Sequence, residues 1–216
     1  MLIYITPIGS GKTLTFPIGK KNYDGIIGLA ENSEIYGLNY QNTAAISQDK
    51  YFQLIYEQTD YSVKKLIIIG SSDTIYETAK KIISEIIEVK KQNPSAKFHI
   101  ELSPGYKKLP HILMLISHIL FDDVELITYN QGTDLEIFPK IKINLSTKEL
   151  EILKKYHIGT QDGEWNGKIS KNSYVFTYEG QKNYLYRVIN NLKEIGLISD
   201  NNRVTDFGKL YIEFGK

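Results

Sequence analysis

Cysteine is absent from this 216-residue chain, which excludes disulfide bonds, thiolate metal sites and a cysteine nucleophile. No apolar run approaches the roughly 20 residues that a membrane-spanning helix needs. The strand-like start, Leu2–Ile5, is too short and too poor in bases for a secretory signal. We therefore expect a cytoplasmic protein that has no membrane partner.

Excess charge of one sign is also lacking, because the net charge is only +1. Overall charge therefore does not predict nucleic-acid binding. The bases are nevertheless unevenly spread. Between Trp165 and Lys193 there are five of them, and Glu179 is the only acidic residue. A local basic stripe of this kind is more informative than the total.

The first part of the chain alternates strand-like and helix-like segments. Strands are predicted at Leu2–Ile5, Lys65–Gly70, Lys97–Leu102 and Asp123–Tyr129. One helix, capped by Ser72 or Asp73, should end at Asn93-Pro94, and a second, Pro110–Leu120, is apolar nearly all round and should be deeply buried. This alternation predicts an α/β fold with a Rossmann-like, mostly parallel sheet.

Residues 14–60 are less regular, because several glycines and Pro17 interrupt any long helix. We interpret them as hairpins or irregular structure, with a short helix near Asp49–Tyr56.

The last part of the chain has a different pattern after a joint at Phe138–Asn144. Ser146 and Glu149 form a capping-box pattern for one helix, and Gly196 occupies a C′ position after a second, whose apolar face is Leu185, Val188, Ile189, Leu192 and Ile195. A predicted hairpin with the tip Ser199–Asn202 and a helix starting at Thr205-Asp206 complete the order of a winged helix-turn-helix. We therefore predict two domains, residues 1–143 and 144–216.

Ligands of parallel sheets bind at the carboxyl ends of the strands, which draws attention to three loops. The first, Gly9–Thr13 with Ser10 and Lys12, resembles a P-loop, but Thr6 stands where that motif needs glycine. A polar loop whose backbone amides contact a ligand is the alternative.

The other two loops follow the second and third strands. Ser103–Lys108 is either a tight turn with two solvated lysines or a site where backbone amides and Lys107 hold phosphate or ribose. Ser71 and Ser72 could contact a ligand in the same way, although helix capping alone explains one of them.

The four histidines, His99, His111, His118 and His157, lack the spacing of metal ligands. We interpret them as core or surface residues, and we predict neither a metal nor a cofactor. No Ser–His–Asp arrangement is indicated either.

The segment Ile100–Lys107, followed by a buried helix, resembles the CRISPR-associated Rossmann fold (CARF), and the winged helix after it makes the chain similar to archaeal CARF–winged-helix transcriptional regulators of CRISPR antiviral defence. The resemblance implies a homodimer that binds a cyclic oligoadenylate, such as cyclic tetra-adenylate, across its dimer axis. It implies ligand contacts at Thr6, Gly9, Ser10, Gly105, Tyr106 and Lys107.

Three hypotheses follow from this resemblance. The first is a ligand-responsive regulator that binds double-stranded DNA through Lys168, Lys182, Tyr186, Arg187, Asn190, Lys193 and Arg203. The second is a metal-independent ring nuclease that cleaves the same ligand with Ser10, Lys12 and Lys107. The third is an adaptor whose winged helix contacts only protein. For the polar face of the second helix, the alternative to a DNA contact is that the face is merely solvated.

Overall fold

A computed structural model describes residues 1–7, 23–31, 60–70, 72–103, 108–131, 134–161 and 182–215. The chain divides into two compact units, Met1–Ile141 and Lys142–Lys216. None of the described helices combines the length and apolar character of a membrane span.

The first unit is built on one six-stranded sheet with two described helices. The elements are β1 (Leu2–Pro7), β2 (Gly25–Glu31), β3 (Val63–Ile69), α1 (Ile75–Gln92), β4 (Lys97–Glu101), α2 (Lys108–Ile119), β5 (Val124–Gln131) and β6 (Asp134–Ile137). The strand order is β3-β2-β1-β4-β5-β6. Strands β1 to β5 pair in parallel, and β6 is antiparallel to β5. The predicted α/β fold with a mostly parallel sheet is therefore confirmed.

Alternation along the strands gives the sheet two different faces. One face is wholly apolar at its centre and has no exposed surface at Ile3, Ile5, Ile27 and Ile100. Right-handed crossovers that run in the same direction place α1 and α2 on one side of the sheet, and the two helices contact each other. Buried polar residues interrupt the opposite face, which carries Tyr4, His99 and Glu101.

Several local predictions for this unit need correction. Residue Thr74, rather than Ser72 or Asp73, caps α1 and forms a capping box with Glu77, because its side chain reaches the Glu77 amide. The strand β2 was not predicted; it is a parallel strand where a hairpin or irregular segment was expected. The proposed helix at 49–56 lies outside the described residues.

Burial also differs from the prediction in two elements, and a third element was not predicted. The apolar run Leu66–Ile69 predicts a buried parallel strand, but β3 is an edge strand and is mostly half-buried. Helix α2 buries one face only, and His111 on its other side is exposed. The antiparallel strand β6 was not predicted, although its four residues alternate polar and apolar side chains.

The second unit contains α3 (Thr147–Gln161), α4 (Lys182–Glu194) and α5 (Asp206–Phe214). The capping box of α3 is confirmed, since Ser146 N donates to Glu149 Oε2 at 2.8 Å and Glu149 N donates to Ser146 Oγ at 3.3 Å. Gly196 has φ 77°, the left-handed conformation expected of a C′ glycine. Helix α3 contacts both α4 and α5.

The segment between α4 and α5 is a minimal hairpin. A single bridge pairs Ile198 with Val204, and Ser199 N donates to Arg203 O at 2.8 Å. The turn places Asn202 at φ 60°, and Tyr156 on α3 donates its hydroxyl to the Asn202 carbonyl at 3.2 Å. The predicted tip Ser199–Asn202 is thus held against the first helix of this unit.

Candidate functional site

A crevice is expected where the connections of the sheet diverge. The chain leaves β1 towards β2 on one side and leaves β4 towards β5 on the other, while β1 and β4 are neighbours. Ligands of open parallel sheets bind at such a switch point, outside the carboxyl ends of the strands. Here those ends are Thr6-Pro7 and Glu101-Leu102.

A chain of buried hydrogen bonds leads to this point through the polar face of the sheet. Tyr23 Oη lies 2.5 Å from His99 Nδ1, and His99 Nε2 lies 2.7 Å from Thr128 Oγ1. Thr128 Oγ1 then donates to Glu101 Oε2 at 2.7 Å. Ser103 donates to Glu101 Oε1 twice, from its backbone N at 2.9 Å and from its hydroxyl. We call these five residues the Glu101 network.

The donors of the Glu101 network can be ordered from its acceptor end. A carboxylate only accepts, so the Thr128 proton points to Glu101 and the Thr128 oxygen accepts from His99 Nε2. In the neutral tautomer that donates from Nε2, the Nδ1 atom of His99 accepts from the Tyr23 hydroxyl. All the protons therefore point towards Glu101, which is 5% exposed. Glu101 is the acceptor end of the network.

Two buried tyrosines complete the surroundings of the network. The Tyr4 ring lies edge-on to the His99 ring, with centroids 5.1 Å apart. Burial, followed by the nearby Glu101 charge, raises the pKa of Tyr4 above its ordinary range. The same two causes raise the pKa of Tyr23 to about 12. Both phenols therefore stay protonated at neutral pH and remain able to donate.

The network was missed at the sequence level, where His99 was interpreted only as a core or surface histidine; it is buried. The available signal was alternation within Lys97–Leu102, which places His99 and Glu101 on the same face of one strand. A carboxylate and an imidazole inside a buried strand both require partners. Neither Thr128 nor Tyr23 could be identified as that partner before the strand order was known.

The predicted ligand residues are brought together only in part. Thr6 lies at the carboxyl end of β1, where it is 1% exposed and its hydroxyl donates to Pro7 O at 3.1 Å. Ser72 is exposed and follows β3, which β2 separates from β1. The remaining predicted positions lie outside the described residues: Gly9, Ser10, Lys12, Ser71, Gly105, Tyr106 and Lys107.

One of the two lysines expected to be solvated has a specific partner. Lys108, in the first turn of α2, donates through Nζ to the carbonyl of Asp73. The Asp73 carboxylate in turn accepts from the amide of Gly70 at 2.8 Å. Lys108 therefore ties the start of α2 to the loop that follows β3.

In the second unit, the polar face of α4 is the candidate nucleic-acid interface. Leu185, Val188, Ile189 and Leu192 are buried, whereas Tyr186, Arg187 and Asn190 are exposed. Lys193 is partly exposed, and Arg203 is exposed in the turn after α4. The predicted separation of core and polar faces is thus confirmed for α4. Lys168 and the side chain of Lys182 lie outside the described part of the chain.

Acidic residues share this surface with the bases. A groove of about 680 Å³ is lined by Glu149, Arg187, Val188, Asn190, Asn191 and Glu194. Hydrogen bonds from Ser146, with smaller contributions from Asn191 and Arg187, hold the pKa of Glu149 below its usual value. The Arg187 guanidinium also lies 5.3 Å from the centre of the Tyr184 ring. Arg187 is therefore oriented by its own unit.

The described residues contain no metal site, because no three His, Asp or Glu side chains among them are grouped to hold an ion. The described histidines have other partners; His118 Nδ1, for example, lies 3.0 Å from the carbonyl of Ile141.

Comparisons with known proteins give no family assignment. No family model matches the chain, and no curated protein matches it in sequence. Among solved structures, it is similar to Csm6 of Enterococcus italicus bound to cyclic hexa-2′-fluoro-hexa-dAMP, with 12% identity and a TM-score of 0.49 over 91% of this chain and 54% of that one. It is also similar to Can2 of Sulfobacillus thermosulfidooxidans in complex with cyclic tetra-adenylate, with 12% identity and a TM-score of 0.39 over 98% of this chain and 63% of that one. This chain thus spans less than two thirds of either, and at TM-scores below 0.5 neither similarity assigns a function to it.

Proposed function

We propose that this protein is a cyclic oligoadenylate-responsive, DNA-binding transcriptional regulator, in which residues 1–143 form a CARF ligand-sensing domain and residues 144–216 a winged helix-turn-helix. The observation that carries the proposal is the strand order, which makes β1 and β4 neighbours at a switch point. The loops that follow these two strands contain the polar residues that the family resemblance of the sequence assigns to the ligand.

The ligand end of the proposal depends on anion binding by backbone amides and lysine. Glycines at positions 9, 11 and 105 allow a close approach of the backbone to phosphate. Lys12 and Lys107 would supply the positive charge that a polyanionic ring requires. Thr6 and Glu101 are buried at the same edge of the sheet, where they would support the strand ends rather than supply charge.

The DNA end of the proposal rests on α4, which is followed by a short hairpin and a closing helix. Arg187 and Asn190 are exposed one turn apart on α4, and arginine and asparagine are suited to guanine and adenine edges. The carboxylates of Glu149 and Glu194 beside them favour a narrow contact over general attraction to phosphate.

Calorimetric titration of the whole protein tests the ligand class. Cyclic tetra-adenylate and cyclic hexa-adenylate are compared with linear tetra-adenylate and with ATP plus magnesium. We expect tight binding of one ring only. Tight ATP binding without a response to either ring would contradict the proposal and favour the P-loop interpretation.

Chromatography of the ligand after incubation separates a regulator from a ring nuclease. A regulator returns the ring intact, whereas a ring nuclease yields linear products. Such cleavage requires only a ribose 2′-hydroxyl held in line with the phosphodiester and stabilisation of the developing charge, for which Ser10, Lys12 and Lys107 would suffice. Linear products that disappear in Lys107→Ala would replace the regulator assignment with the enzymatic one.

A further inference from the structure

We infer that Glu101 is a positioning residue of the ligand site, which it serves by fixing Ser103 at the carboxyl end of β4. The inference rests on the proposed function, because it assigns to the Glu101 network a role in ligand affinity. Glu101 itself is buried and is not expected to touch the ligand.

Both oxygens of Glu101 are occupied, which fixes the orientation of its carboxylate. Oε1 accepts from the amide and hydroxyl of Ser103, and Oε2 accepts from Thr128. Thr128 is completely buried and belongs to β5, the strand paired with β4 at Glu101. The position of Ser103 is therefore fixed by groups on two strands.

The connection from β4 to α2 is anchored at both of its described ends. Ser103 is bound to Glu101, and Lys108 is bound to the carbonyl of Asp73. Small displacements of the protein groups that contact a ligand lower its affinity by large factors, because the site must then reorganise when the ligand binds. A buried carboxylate at the start of this connection reduces that reorganisation.

Three variants and one control separate positioning from general stability. Glu101→Gln replaces one acceptor oxygen by an NH₂ group that faces other donors. Thr128→Val removes the hydroxyl at nearly constant shape, and Thr128→Ser retains it. Ile100→Val removes a methylene from the opposite, apolar face of β4 and leaves every network group in place.

Two readouts are measured on each folded variant. The first is the exchange rate of the Ser103 amide without ligand, followed by NMR, which reports the hydrogen bond to Glu101 directly. The second is the calorimetric affinity for cyclic tetra-adenylate. Losing a buried partner costs roughly tenfold in an equilibrium constant, so we expect about that loss of affinity in Glu101→Gln and Thr128→Val, with faster Ser103 exchange.

Rescue by the conservative variant is the decisive comparison. Thr128→Ser should bind within about twofold of the wild type, and Ile100→Val should do the same despite its lower stability. Faster Ser103 exchange with unchanged affinity, or an equal loss of affinity in Ile100→Val, would overturn the positioning role while the proposed function stood. A wild-type protein that binds no cyclic oligoadenylate would instead refute the proposed function, and the inference with it.

Discussion

Burial raises the pKa of individual side chains in this protein, most clearly those of Tyr4 and Tyr23. Each phenol is almost fully buried, beside Glu101, and each has a raised pKa. A group whose pKa is raised in the folded state binds its proton more tightly there than in the unfolded chain. For Tyr23, the resulting stability is complete below the ordinary value of 10.0 and is lost as the pH rises through about 12.

We therefore predict that the free energy of unfolding falls between about pH 10 and about pH 12, the interval between the ordinary pKa of tyrosine and the raised pKa of Tyr23. Urea unfolding at a series of alkaline pH values measures it. In Tyr23→Phe the decline should be shallower, although the variant is less stable at neutral pH because the bond to His99 is lost. Equal alkaline slopes in both proteins would contradict this assignment.

A second prediction at this scale concerns Lys107, the base assigned to phosphate. Lys107→Ala should weaken binding of cyclic tetra-adenylate by roughly 1–3 kcal/mol, the value for one charge-assisted hydrogen bond. Lys91→Ala is the matched control, because Lys91 is a 72% exposed lysine of α1. Equal affinities for the two variants, measured by calorimetry, would remove Lys107 from the site.

Among the secondary-structure elements, the contact of α5 with the segment after α4 depends on a glycine. A Cβ at Gly208 would lie 2.2 Å from the carbonyl oxygen of Leu197 and 2.7 Å from Val204 Cγ1. At Gly196 nothing lies within 4 Å, and only the φ of +77° disfavours a side chain.

We predict that Gly208→Ala destabilises the protein by about 2 kcal/mol or more, because the helix must move away from its support. Gly196→Ala should cost about 1 kcal/mol, and Gly196→Asn less, since asparagine tolerates the left-handed conformation. Urea unfolding of the three variants measures the order. A Gly208→Ala protein as stable as Gly196→Asn would show that the contact is not maintained in solution.

Elements with strong local signals were predicted correctly, and those defined by their neighbours were not. Strand β4 and the caps at Ser146 and Gly196 follow from apolar runs and capping residues within a few positions. Strand β2 contains three glycine or alanine residues among seven, and its identity depends on pairing with β1 and β3. The Glu101 network was missed for the same reason, because Thr128 is 27 residues from Glu101 in the chain.

For the whole molecule, the proposed ligand sets an expectation about assembly. A cyclic oligoadenylate has rotational symmetry, and a two-fold symmetric ligand is matched by an isologous dimer. We predict that light scattering at micromolar concentration gives twice the protomer mass of 24.8 kDa. Added cyclic tetra-adenylate should lower the concentration at which dimers dissociate. A monomer in the presence and absence of ligand would contradict both the dimer and the proposed ligand geometry.

The DNA contact of such a dimer is the remaining expectation at this scale. Two copies of α4 related by a two-fold axis should protect inverted half-sites about one helical turn, or a multiple of it, apart. The specificity within each half-site should come from Arg187 and Asn190, whereas Lys168 would contact phosphate. Footprinting of the protein's own genomic fragments, with and without cyclic tetra-adenylate, measures both spacing and preference.

Three substitutions test that contact, two in the groove at Arg187 and Glu149 and one at Lys168. Arg187→Ala should reduce discrimination between fragments by roughly 1–3 kcal/mol, since it removes a base contact. Lys168→Ala should weaken binding to all fragments alike and flatten the salt dependence of binding.

Glu149→Gln keeps a residue that the capping box accepts but removes the negative charge that lies near Arg187. If the groove faces DNA, this variant should bind every fragment more tightly at low salt and discriminate less between them, because repulsion of wrong contacts is lost. Gel shifts that are identical for the wild type, Glu149→Gln and Arg187→Ala would place the groove away from DNA. Since the same polar face of α4 would then be free for protein, that result favours the adaptor over the regulator.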